Sequence, residues 1–169
     1  VKDRRPYKAK FALLSECGDY RYKLGRVWDE DKATMLWVML NPSTANADED
    51  DATIGRCVDF ADAWGFGSIL VGNVYAFRST DPAGLCVCNP VGPENYEHLA
   101  DMARGVSLVV CGWGATVPCI NAHPIAVRLA MASFHDRATY CLGLTARGAP
   151  KHPLYLKSDT VPQIYSWPS

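Results

Sequence analysis

The sequence predicts an α/β domain: a three-layer sandwich with a four-stranded parallel central sheet, preceded by an N-terminal β-hairpin. Three observations carry that expectation. Four short apolar runs, at 35–40, 68–75, 107–111 and 138–142, are continuous rather than alternating, as strands buried on both faces are. Segments with helical spacing separate them. Each run ends in, or leads to, polar or glycine-rich residues that packing alone does not require. With 169 residues, 49% of them hydrophobic, one core suffices, and residues 1–169 are expected to form a single domain.

In chain order, residues 10–14 and 20–24 flank Cys17-Gly18-Asp19 as the two arms of a hairpin or as a pair of edge segments. The first apolar run stops at Asn41-Pro42. Asp51 is placed to cap a helix whose Ile54, Cys57, Val58, Ala61 and Trp64 share one stripe, ending at Gly65. The second run leads into a turn-rich stretch with Pro82, Gly84, Pro90, Gly92 and Pro93, followed by a helix over about 94–104. The third ends in Gly112-Trp113-Gly114-Ala115. Pro124 suits the first turn of a helix carrying Ala126, Val127, Leu129, Ala130 and Phe134. The fourth run ends at Gly143 and opens the segment 145–156. Ligands of open parallel sheets bind beyond the carboxyl ends of the strands. The candidate site residues are therefore Asn41-Pro42-Ser43-Thr44, Asn73 with Arg78-Ser79-Thr80-Asp81, Gly112-Trp113-Gly114, and Lys151-His152-Pro153-Leu154.

Seventeen basic and 18 acidic residues give a net charge of -1, which does not favour a nucleic-acid partner. The charge is uneven, however. Asp48–Asp51 is an acidic cluster, while Arg147, Lys151 and Lys157 have no acid between 145 and 157, and Lys2, Arg4, Arg5, Lys8 and Lys10 crowd the start. Two readings stand: a solvated surface of mixed sign, or a polyanion-facing edge. The second requires those bases to share the face of the site, with the acidic cluster turned away. No apolar run approaches the roughly 20 residues that span a bilayer, and none follows the first charges as a signal peptide would, so a cytoplasmic protein without membrane contact is expected. Seven cysteines, several inside apolar runs, read as reduced, buried thiols. The four histidines lack paired ligand spacing and no Gly-Lys-Ser/Thr occurs, so neither metal nor cofactor is expected. No protein partner is inferred.

Taken in order, the four strand-end segments resemble the uracil-DNA glycosylase superfamily. Val38-Met-Leu-Asn-Pro-Ser43 is similar to the first motif of its mismatch-specific branch, and Leu70-Val-Gly-Asn-Val-Tyr75 to the strand whose asparagine reads the target base. Val109-Val-Cys-Gly-Trp-Gly-Ala115 resembles the strand ending in Trp-Gly, and His152-Pro153-Leu154 the motif that opens the DNA-inserting loop. A closer resemblance, over roughly 20–157, is to a bacterial and phage domain-of-unknown-function family, number 1643. It rests on Leu40-Asn-Pro-Ser-Thr-Ala45, Phe77-Arg-Ser-Thr-Asp-Pro82 and Pro150-Lys-His-Pro-Leu-Tyr-Leu156. The sequence departs from the efficient uracil enzymes at Asn41 and Ser43, where they carry Asp and Tyr, and its Leu-Tyr-Leu replaces Ser-Pro-Leu after His152-Pro153.

The resemblance implies excision of a damaged or modified pyrimidine flipped out of DNA. Asn41 would hold a water and His152 would stabilise the leaving base; Pro42, Ser43, Asn73, Trp113 and Arg78 would contact substrate. Arg147 and Lys151 would grip phosphates, with Leu154 or Tyr155 as a wedge. Each has a plainer role beside it. Asn41 suits a turn before Pro42, Asn73 and Trp113 suit the core, Arg78 suits an ion pair with Asp81, and His152 suits a surface loop. Asp50 and Asp51 offer the missing carboxylate or, more simply, a helix cap. Two rival functions remain open: a module that binds a base or nucleotide without cutting, and a hydrolase of free nucleosides or nucleotides.

Overall fold

The computed structural model describes residues 6–43, 49–87, 89–115 and 123–167. Thr44, Ala45, Asp48, Cys88, Cys119 and the basic Lys2, Arg4 and Arg5 lie outside the described residues. Seven strands form one sheet: β1 (Ala9–Leu14), β2 (Arg21–Val27), β3 (Thr34–Met39), β4 (Ser68–Asn73), β5 (Leu108–Cys111), β6 (Thr139–Cys141) and β7 (Gln163–Tyr165). Three helices accompany them: α1 (Ala52–Ala63), α2 (Asn95–Arg104) and α3 (His123–Ala132).

The four apolar runs become β3 to β6, paired in parallel in the order β4-β3-β5-β6. The sheet as a whole is mixed, which corrects the expectation of a four-stranded parallel sheet beside a separate hairpin. Strand β2 pairs antiparallel with β4, placing Leu24 opposite Val71, and carries β1 as the outer edge. Tyr22 and Leu24 are 1% exposed, so the hairpin's second strand is itself core and its free edge is consumed by the sheet. Strand β7, only three residues long and two of them exposed, pairs antiparallel with β6; it is too short to show a period.

Alternation along β3 assigns the layers. Met35, Trp37 and Met39 pack with Ile54, Cys57, Val58, Phe60 and Ala61 of α1, whereas Leu36 and Val38 pack with Leu99 and Met102 of α2 and Val127 and Ala130 of α3. Trp37 is fully buried between Phe60 and Trp64, with ring centroids 6.3 and 6.0 Å away. Among the described cysteines, Cys57, Cys111 and Cys141 are buried free thiols and Cys17 is an exposed one. Cys86 is disulfide-bonded, a departure from the expected reduced set that spacing alone does not disclose.

From β3 the chain passes through α1 to β4 on one side, then through α2 to β5 on the other. Connections diverge at β3, and such a divergence opens a crevice beyond the carboxyl ends of the strands. The loops after β3, β4, β5 and β6 meet there.

Candidate functional site

A cleft of about 350 Å³ occupies that crevice, and Asn41, Ser43, Asn73, Trp113, His152 and Tyr155 all line it. Four separate loops or strand ends supply them. Asn41 ties two of these together: its Nδ2 donates to the Ser79 carbonyl at 2.8 Å and to the Pro42 carbonyl at 3.1 Å, while Ser79 N–H donates to Pro42 at 3.0 Å. With the amide nitrogen committed, Oδ1 is the atom of Asn41 left to accept. Pro42 is buried behind this wall and does not line the cleft.

Asn73 ends β4 at 1% exposure. Its backbone is fixed from α2, where Asn95 Nδ2 donates to the Asn73 carbonyl at 2.9 Å and to the Val74 carbonyl at 3.2 Å. The Asn73 side-chain Nδ2 is buried and has no hydrogen-bond partner among the described residues. A buried donor left so costs about 1–3 kcal/mol, and Asn73 is one of the few such groups that also line the cleft. Trp113 Nε1 is also buried without a partner. The Trp113 ring is core, held edge-on by Tyr165 at 5.7 Å and beside Trp167 at 6.3 Å, and one side of it forms cleft wall.

His152 is positioned by the loop after β5. Gly114 N–H donates to the Pro150 carbonyl at 2.8 Å, and Gly114 adopts φ +77°, with any Cβ there meeting the His152 Cβ at 3.4 Å. A glycine is thus favoured by the backbone, while a Cβ there would make only an ordinary contact. Leu154 N–H donates to His152 Nδ1 at 3.3 Å at the start of the short 3-10 turn Pro153–Tyr155. An Nδ1 that accepts leaves the neutral ring's proton on Nε2. Burial lowers the His152 pKa from 6.5, with the Asp51 charge opposing, so the ring is a neutral donor at pH 7.

Asp51 carries two roles. Its Oδ1 accepts the Ile54 N–H at 2.8 Å as the N-cap of α1, its Oδ2 accepts from Ser43 Oγ at 3.0 Å, and it lines the cleft. Its neighbour Asp50 is structural. Asp50 is 3% exposed, paired with Arg26 Nε at 2.8 Å, and takes the Tyr7 hydroxyl on its other oxygen. The acidic cluster therefore does not turn away as a block: one member is buried in an ion pair and the next enters the cleft.

Other expected residues lie elsewhere. Arg78 holds the hairpin turn, donating from Nη1 to the Gly18 carbonyl and from its backbone to Asp19, both at 2.9 Å, and does not line the cleft. Asp81 caps the short turn Pro82–Leu85. Lys151 and Arg147 line grooves next to the cleft rather than the cleft, and Leu154 lines none of the three. Arg21 lines the cleft unanticipated; at 4% exposure its pKa is lowered to about 10 by burial, against the pull of Asp51, and it keeps its charge at neutral pH. Nothing in Tyr20-Arg-Tyr-Lys-Leu24 separates Arg21 from Lys23 by alternation, so the sequence carried no signal for it. Thr53 also lines the cleft, as do Ser79 and Thr80 from the flagged strand-end loop. Among the described residues no group of three or more His, Cys, Asp or Glu is placed to hold a metal ion, and no helix is long and apolar enough to cross a membrane.

A family model described as a protein of unknown function, DUF1643, matches residues 21–154. The chain belongs to the DUF1643 family. The matched span opens at Arg21 and includes every cleft residue of this DUF1643 chain except Tyr155. Comparison with curated proteins and with solved structures finds no match.

Proposed function

We propose that this DUF1643 chain is a base-excising N-glycosidase, hydrolysing the bond between deoxyribose and a damaged or modified pyrimidine swung into the cleft. The observation that carries the reading is the buried, unpartnered Asn73 donor, in one cleft with the His152 imidazole, Asn41 and a carboxylate. The order of strand-end motifs, similar to that of the uracil-DNA glycosylase superfamily, supports the same reading and a fold of that type.

Breaking an N-glycosidic bond moves the electron pair onto the base and leaves positive charge at C1′. A water oxygen then bonds to C1′ and sheds its proton. Asn41 Oδ1 holds that water by position, since a neutral amide is a poor base. Asp51 stabilises the cationic sugar and takes the proton. His152 Nε2–H and Asn73 Nδ2 donate to the oxygens of the departing base, where charge collects. Discrimination follows from the cost of leaving Asn73 unpaired beside a base with no acceptor there.

Incubation with DNA containing candidate modified pyrimidines, then alkali to cut abasic sites, is expected to give strand breaks that Asn41→Ala and His152→Ala abolish; intact strands across the panel would sink the proposal. A second reading, binding without cutting, is favoured by one observation. Both oxygens of Asp51 already accept hydrogen bonds, which weakens it as a base. Under that reading the same two variants change ligand affinity and no product ever forms.

A further inference from the structure

The cleft does not end at His152 and Tyr155. Those residues, with Gly114 and Ala115, also border a second groove of about 380 Å³ that takes in Lys151. Through Ala115 and Thr145 this groove runs into a third hollow of about 220 Å³, bordered by Arg147 and Trp167. Beyond the His152 ring that the first shares with the cleft, the two outer grooves have a similar composition: an aromatic ring and an exposed cation each, Tyr155 with Lys151 and Trp167 with Arg147, between aliphatic walls such as Leu156 and Ala149. Among the described residues no acidic side chain borders either. Tyr155 is 83% exposed, so the core does not account for it, yet its ring stands 5.6 Å from that of His152 at the cleft mouth.

We infer that these grooves hold the two nucleotides next to the base in the cleft, and that the ligand is a single-stranded polynucleotide. This rests on reading the cleft as a base pocket. A ring and a cation, repeated, match the base and phosphate of successive nucleotides, because every base has a face to stack and every linkage a negative charge. A duplex fits less well. Its neighbouring bases stay paired and stacked inside the helix, so it offers phosphates alone to grooves that are mostly apolar, where two cations recover little.

Fluorescence anisotropy with labelled DNA tests this directly. Affinity is expected to rise from mononucleotide to dinucleotide to trinucleotide and to change little at the hexanucleotide. The single strand is expected to bind about tenfold more tightly than the same strand annealed to its complement. Tyr155→Ala, at a position the core does not need, should weaken binding about tenfold. Lys151→Glu should weaken it and flatten its salt dependence. Equal affinity for mononucleotide and hexanucleotide, preference for the duplex, an unchanged Tyr155→Ala variant, or displacement of the strand by an acidic peptide would each overturn the inference. Length-dependent binding with no base released overturns the hydrolase and leaves this inference standing. Base release from free nucleosides without length dependence does the reverse.

Discussion

Under the proposed function, Asn73 and His152 are the single side chains that decide what the cleft accepts. An unpartnered buried amide is a liability to the folded chain, and a leucine of similar shape removes it. Asn73→Leu is therefore expected to leave stability unchanged or raise it by about 1 kcal/mol, while base release falls about 10²-fold. Thermal melting and turnover read the two signs; a large loss of stability would mean the amide is structural. His152 brings a pH dependence whose direction follows from burial. Its folded pKa lies below the 6.5 of the unfolded chain, so the unfolded state binds more protons between the two values. Stability is then full above pH 6.5 and is lost as the pH falls toward the folded value. His152→Gln should flatten that acid limb in melting curves, and the imidazole signal it removes should titrate below 6.5 by NMR. A midpoint at or above 6.5 would contradict the burial.

Element ends are where packing in this fold positions the cleft residues. The buried pair of Arg26 on β2 with Asp50 pins the chain one residue before the N-cap of α1, and so sets where Asp51 stands. Removing Asp50 strands Arg26 in the core, and Asp50→Ala is expected to cost about 3–5 kcal/mol. Asp51→Ala loses the cap for about 1 kcal/mol, whereas Asp51→Asn keeps a capping oxygen without the charge. The asparagine variant separates helix capping from catalysis: chemical denaturation should show near-native stability, with turnover reduced. Full turnover would leave Asp51 only its cap. Gly114 works similarly for the loop after β5. Its φ of +77° makes Gly114→Ala cost about 1–2 kcal/mol. Strands β3 to β6 were legible because burial on both faces leaves a continuous apolar signature, and α1 because Ile54, Cys57, Val58 and Ala61 share a stripe. Strand β7 and the docking of β2 on β4 were not, since three residues have no period and edge pairing is decided by neighbours distant in sequence.

Over the whole molecule, a balance of 17 basic against 18 acidic residues conceals a local arrangement. Asp50 and Arg26 cancel in the core, Arg21 and Asp51 face the cleft together, and Lys151 and Arg147 stand exposed along the adjoining grooves. With two such cations, the slope of log K against log salt for a single strand is expected to be about -1.4; a slope several times steeper would require a larger basic face. Convergence of Asn41, Asn73 and His152 was readable because each lies at the end of an apolar strand or in the segment beyond it, and parallel strands bring their ends to one side. Arg21 was not readable, because it reaches the cleft from an antiparallel strand whose partner the sequence did not reveal. The central proposal is that this cleft releases a base. Mass spectrometry of an intact single-stranded oligonucleotide carrying a modified pyrimidine tests it most directly. Loss of the base with gain of one water is expected, with a return toward the starting mass in His152→Ala. A strand that binds yet keeps its mass across the panel of modified pyrimidines would contradict it.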